Sequence, residues 1–324
     1  MRLPGPRARR VLAWLATLAF VAFVLWKASE DLSANWARVE ARASSLDPSW
    51  GLVALSTLLV LATYALLIHA WRSLVAAWGA PLGFRDAARI WTVSNLGRYL
   101  PGKVWSIAAM GLMSRQAGVP AGAASGAAVA GTLVNIAAGF AVLLLTGLPV
   151  LRSLTAGSES LAVAVAGAIT VGLLALPFLL GPLMRRAARL LGRDVPVREA
   201  PRPVLWLVVL ANVAAWVGYG LAFGVLARAL LPGSAGNWLG YVAVFTGSYL
   251  AGYLVLFAPG GIGFREIAMV TALTGLGLTS TVDAWLLAAA SRLWLTVLEV
   301  APGVLFLARD ATLRFPPSAP DVPT

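Results

Sequence analysis

The sequence predicts an all-α fold: a polytopic helical membrane protein of about seven or eight spans, with two Pro-Gly-broken segments that dip into the membrane and return. Three observations carry this. Hydrophobic residues make up 60% of the 324 residues and charged residues only 12%, and the mean hydropathy is +0.83; soluble domains do not have this composition. Several apolar runs approach or exceed the roughly 20 residues that a helix needs to cross a bilayer. Two apolar regions are interrupted by Pro and Gly with full charges beside them. Pro cannot donate a backbone hydrogen bond and Gly is a poor helix former, so the helix breaks there.

The N-terminus opens with Arg2, Arg7, Arg9 and Arg10 before an apolar run from Val11 to Trp26. No small-residue cleavage site follows, since Lys27-Ala28-Ser29-Glu30 is charged, and the run reads as an uncleaved first span. The loop Ser29 to Ser49 sets Glu30, Asp31, Glu40 and Asp47 against Arg38 and Arg42. The cationic flank belongs inside, which places the N-terminus in the cytoplasm and the protein in the inner, cytoplasmic membrane. A second span runs from Trp50 to His69, with Arg72, Arg85 and Arg89 on the inner side.

The first broken region is Ile90 to Met113. The loop Arg185 to Arg202 holds six Arg against Asp194 and Glu199 and belongs inside. That side is reached if Ile90–Met113 is a re-entrant hairpin rather than a crossing. Further spans are then expected at Ala121–Leu148, at Leu161–Leu183 with a kink at Pro177, and at Val204–Leu230. The small residues from Gly122 to Gly131 are read as intramolecular packing in preference to dimerisation. Asn135 and Asn212 lie within spans and should face protein. A sixth apolar run, Tyr241 to Phe257, leads into the second broken region, followed by Ile267–Leu278 and a last span at Ala284–Leu307. Residues 1–310 form one transmembrane domain, and the Pro-rich residues 311–324 read as a disordered tail.

Composition also narrows function. The net charge of +12 comes from 25 basic and 13 acidic residues. Those basic residues sit in short loops between spans, which speaks against nucleic-acid binding. Cysteine is absent and His69 is the single histidine. Thiolate and histidine metal sites and a cysteine nucleophile are therefore excluded, no cofactor is expected, and an intramembrane enzyme is the weakest reading. No Gly-x-x-x-x-Gly-Lys loop is present to bind a nucleotide.

The two breaks hold the candidate site. In the first, Arg98, Tyr99 and Lys103 are suited to a phosphate or phosphodiester: Arg offers a two-pronged donor and Lys a point charge. A half-helix starting after Pro101-Gly102 would aim free N–H groups at an anion, and Trp105 is placed to cover the acyl side of a head group. The competing reading has Arg98 and Lys103 snorkelling to the interface. In the second, Arg265 and Glu266 are a ligand group and its counter-charge, or else structural ion pairs, Arg265 with Glu299 and Glu266 with Arg292. Arg292 and Glu299 are seven residues apart and share a helix face. Tyr249 and Tyr253, four apart, share a face toward the same cavity. Glu266 and Glu299 are the candidate proton carriers.

Together, Asn95-Leu96-Gly97-Arg98-Tyr99-Leu100-Pro101-Gly102-Lys103-Val104-Trp105-Ser106 and Pro259-Gly260-Gly261-Ile262-Gly263-Phe264-Arg265-Glu266 resemble the two signature motifs of the lysylphosphatidylglycerol synthase transmembrane-region family. That family includes the flippase part of the multiple peptide resistance factor and stand-alone membrane proteins of the YbhN type. The resemblance covers nearly the whole chain. It implies lipid translocation, with the two broken segments forming a cavity for an anionic or aminoacylated head group, or for another lipid-linked envelope precursor. The soluble domain that transfers an aminoacyl group in larger members has no counterpart after the last span, so no enzymatic activity is expected. A separate synthase or a second copy of the chain are the candidate protein partners. A non-transporting accessory subunit of a lipid or envelope-glycan pathway is the alternative.

Overall fold

The computed structural model describes residues 37–79, 81–99, 104–147, 159–190, 200–232, 234, 237–255 and 261–314. The expected first span at Val11–Trp26 lies outside these residues, as do Pro101, Gly102, Lys103, Pro259, Gly260, residues 191–199 and the tail beyond Arg314. The described secondary structure is helical, with no strand among the described residues.

In chain order the helices are α1 (Trp50–Trp78), α2 (Phe84–Asn95), a 3-10 turn (Leu96–Tyr99), α3 (Val104–Gln116), α4 (Ala121–Thr146), α5 (Glu159–Leu190), α6 (Arg202–Leu230), α7 (Trp238–Leu254), α8 (Phe264–Gly275) and α9 (Thr281–Arg314). Among the described residues, α1, α4, α5, α6 and α9 are long and apolar enough to cross a membrane. They coincide with five of the expected spans. The run Tyr241–Phe257 departs from its expectation: α7 stops at Leu254 after 17 residues, ahead of the Pro-Gly break. The described residues thus provide five candidate spans. Pro177 and Pro182 both lie inside α5, which continues through them.

Helix α6 is the most buried of the five and packs against α1, α4, α5 and α7. Small residues permit this closeness. A Cβ on Gly220 would meet the Val242 backbone of α7 at 2.5 Å, and one on Gly139 of α4 would meet the Trp216 ring at 2.9 Å. Ala124, Ala127, Ala130 and Ala138 of α4 are fully buried and pack within the chain, whereas a Cβ on Gly122 or Gly131 would meet nothing within 4 Å.

The two broken regions fold alike. Helices α2 and α3, of 12 and 13 residues, pack against each other around the first break; α7 and α8 pack together around the second. Twelve residues of helix rise about 18 Å, well short of the roughly 30 Å hydrocarbon core. At the second break Gly261 and Gly263 take positive φ, 69° and 85°, which glycine adopts without penalty. A Cβ on Gly261 would stand 2.7 Å from the Cα of Gly252. The two backbones therefore touch, and this contact sets where α8 starts.

Candidate functional site

The broken segments meet at a cavity of about 280 Å³. One wall is a tied carboxylate. The Arg98 guanidinium donates from Nη1 to Glu299 Oε1 at 2.6 Å and to the Tyr249 hydroxyl at 3.1 Å, and from Nη2 to Asn95 Oδ1 at 3.3 Å. The Tyr99 hydroxyl donates to Glu299 Oε2 at 2.7 Å. The 3-10 turn after α2 brings Arg98 and Tyr99 round to α9 together, so one carboxylate takes a donor on each oxygen.

A second carboxylate is tied in the same way. Glu266 Oε1 accepts from Arg292 Nη1 at 3.3 Å. Its Oε2 accepts from the Gly263 N–H at 2.7 Å, which caps the start of α8 and places a negative charge at the positive helix end.

Arg265 is different. It is 6% exposed, sits one residue into α8, and has no ion-pair partner among the described residues. Its guanidinium lies over the rings of Tyr249 and Phe245, 5.1 and 5.5 Å from their centroids. Its Nη2 makes no hydrogen bond among the described residues. Of the two structural pairs weighed from the sequence, Glu266 with Arg292 forms. Arg265 with Glu299 does not: Glu299 pairs with Arg98 and accepts from Tyr99.

Aromatic rings make the cavity's apolar face. They run in contact from Trp91 to Tyr64 (centroids 5.4 Å apart), Tyr219 (6.0 Å), Phe245 (5.9 Å), Tyr249 (5.9 Å) and Trp216 (5.6 Å). Four helices contribute: α2, α1, α6 and α7. A polar pair borders the rings. Asn135 Nδ2 donates to Asn212 Oδ1 at 2.9 Å, and Trp216 Nε1 donates to the Asn135 carbonyl at 2.8 Å.

Three further buried groups on residues lining the cavity have no hydrogen-bond partner among the described residues: Asn95 Nδ2, Trp71 Nε1 and the Tyr64 hydroxyl. With Arg265 Nη2 they make four groups able to donate. Three of these, the Arg, amide and indole N–H groups, can only donate.

Of the residues proposed from sequence, Asn95, Arg98, Tyr99, Ser106, Tyr249, Tyr253, Gly261, Arg265, Arg292 and Glu299 line this cavity. Glu266 and Gly263 stand behind it, holding Arg292 and the helix start. Trp105 does not line it and is 52% exposed on the outer surface: the next residue, Ser106, takes the inward position on α3. Pro101, Gly102, Lys103, Pro259 and Gly260 fall outside the described residues. Tyr64, Trp71, Trp91, Trp216, Tyr219 and Phe245 were not proposed. Their only signal in the sequence is an aromatic residue in a span, and a lipid-facing position gives the same signal.

The whole arrangement lies within a single family match. The model of the lysylphosphatidylglycerol synthase TM region matches residues 14–303. The chain belongs to this family. With five apolar helices of spanning length, it is a multi-pass membrane protein. No curated protein matches the chain. In this member of the family both motifs line one cavity: Asn95, Arg98, Tyr99 and Ser106 from the first, Gly261 and Arg265 from the second.

Proposed function

We propose that the protein binds a membrane lipid by its head group in this cavity and carries it between leaflets without covalent chemistry. The observation that carries the reading is Arg265: a buried cation with no ion-pair partner and an unused donor among the described residues, in a cavity walled by aromatic rings. A charge at membrane depth costs about 3 kcal/mol on insertion scales, and an apolar side chain would pack there without that cost. An anionic head group uses all of these features, and the rings offer an apolar surface to the acyl chains beside it.

The two short-helix pairs support a membrane-dipping role. Each pair holds a helix of 12 residues, too short to cross. Broken backbone survives at that depth only when packed in protein or lining a wet cavity, and both breaks adjoin this one. We read α2–α3 and α7–α8 as re-entrant, the N-terminus as cytoplasmic, and the protein as resident in the cytoplasmic membrane. The tied carboxylates Glu266 and Glu299 are the groups available to carry protons if movement is driven by an ion gradient.

The test is identification of the lipid that co-purifies with the full-length protein, by mass spectrometry, followed by a leaflet-accessibility assay with that lipid in liposomes. Faster equilibration of the lipid between leaflets in protein-containing liposomes than in empty ones is expected. A co-purifying lipid with unchanged leaflet distribution would reduce the protein to a lipid-binding accessory subunit.

A further inference from the structure

The reading above leaves the head group open between purely anionic and aminoacylated. We infer that the cavity selects a phosphate-bearing head group without an amine and rejects the aminoacylated form. This rests on the lipid-binding reading and narrows it.

The argument is an inventory of hydrogen-bonding groups. Buried polar groups are normally partnered, and a buried donor left alone costs on the order of 1–3 kcal/mol. Here four groups able to donate, all on residues that line the cavity, have no hydrogen-bond partner among the described residues: Arg265 Nη2, Asn95 Nδ2, Trp71 Nε1 and the Tyr64 hydroxyl. They come from α8, α2 and α1, so no single local fault in packing accounts for them. What would satisfy all four is a group rich in acceptors, and phosphate oxygens are acceptors only.

The acceptors show the reverse. A lysyl or alanyl ester adds an ammonium, which brings donors and needs an anionic partner. Glu299 is the carboxylate on the cavity wall among the described residues, and its charge is already paired with the Arg98 guanidinium while Tyr99 donates to its other oxygen. Glu266 behind it is also engaged at both oxygens. The faces of Tyr249 and Phe245, which would suit an ammonium, are already covered by the Arg265 guanidinium. An ammonium entering the cavity meets Arg98, Arg265 and Arg292, and among the described residues the carboxylates there are already paired, Glu299 with Arg98 and Glu266 with Arg292. Specificity here comes from the unfavourable partner as much as the favourable one.

The experiment uses the full-length protein in neutral detergent micelles doped separately with phosphatidylglycerol, lysylphosphatidylglycerol or phosphatidylethanolamine. Lipid retained per protein after repurification is counted by mass spectrometry. Inorganic phosphate is a soluble arm, read as a shift in thermal unfolding. Retention of phosphatidylglycerol over both amine-bearing lipids by about tenfold or more is expected, the scale of one hydrogen bond to a charged group. Tyr64→Phe keeps the ring, removes only the hydroxyl, and should lower phosphatidylglycerol retention several-fold. Equal or greater retention of the lysyl lipid overturns the inference and leaves lipid binding standing. Protection by inorganic phosphate equal to that by phosphatidylglycerol overturns it in favour of a soluble-anion site. Retention of no lipid above background overturns the lipid-binding reading itself.

Discussion

Arg98 and Glu299 are 201 residues apart in sequence and 2.6 Å apart in space. Their pairing joins the first broken segment to α9, and Tyr99 shares the same carboxylate at 2.7 Å. Replacing Glu299 by Gln removes the charge that balances Arg98 while keeping the shape. Both side chains are partly accessible, so the expected loss is about 2 kcal/mol, below the roughly 3–5 kcal/mol of a fully buried pair. The check is a double-mutant cycle in thermal unfolding. Arg98→Met with Glu299→Leu should cost clearly less than the two single changes added together; strict additivity would mean that the pair contributes no coupling.

The contact of Gly252 with Gly261 is predicted to fix where α8 begins. A Cβ on Gly252 would meet Arg265 Cβ at 2.9 Å, and one on Gly261 would meet the Gly252 backbone at 2.7 Å, at a φ of 69° that side chains rarely adopt. Gly261→Ala should destabilise by about 2 kcal/mol or more, and Gly252→Ala by about 1–3 kcal/mol. Gly275, at the far end of α8, has open space around it, and Gly275→Ala should change little. Melting temperatures of the three variants in one detergent decide this. Equal behaviour of all three would mean that the glycine contact does not constrain the helix.

Much of the fold was legible because membrane physics writes it into composition. Long apolar runs gave α1, α4, α5, α6 and α9, and Pro-Gly breaks gave the two short-helix pairs. The bounds of α7 were misplaced rather than its length, since the apolar run goes from Tyr241 to Phe257 while the helix, also of 17 residues, runs from Trp238 to Leu254. At the site, charge in an apolar setting marked Arg98, Arg265, Arg292 and Glu299 from sequence alone. Partner choice was not legible: nothing in the chain says that Glu299 goes to Arg98 rather than Arg265, because that depends on the turn carrying Arg98 and Tyr99 to α9. The ring-lined wall was hidden for another reason, as Tyr64, Trp91 and Tyr219 have no polar spacing pattern to separate a cavity from lipid.

The re-entrant reading of α2–α3 predicts that both its ends lie on one side. Since the chain has no cysteine, single cysteines report cleanly. Cysteines at Arg89 and Arg115 should react with an impermeant reagent from the same side, the side of Arg193, with Ser45 on the other. Opposite sides for Arg89 and Arg115 would turn the pair into a crossing and reverse the orientation of the helices after it.

The sharpest prediction separates a binding role for Arg265 from a structural one, by comparison with Arg292. Arg292 holds Glu266, so Arg292→Met strands a carboxylate and should destabilise the protein by a few kcal/mol. Arg265 holds no carboxylate among the described residues, and its contacts to protein are the faces of Tyr249 and Phe245. Losing them costs about 2 kcal/mol in a desolvated setting, while removing a buried charge returns about 3 kcal/mol on insertion scales. These nearly cancel, so Arg265→Met should fold with a melting temperature close to that of the unaltered protein. Its retained lipid should fall by at least about tenfold, because the charge that faces the head group is gone. Arg265→Lys keeps the charge and loses the two-pronged geometry, and should retain part of the lipid. Thermal unfolding and lipid retention measured on the same preparations give both readouts. If Arg265→Met unfolds as Arg292→Met does, Arg265 is a structural cation. If it folds and keeps its lipid, the head group lies elsewhere in the cavity.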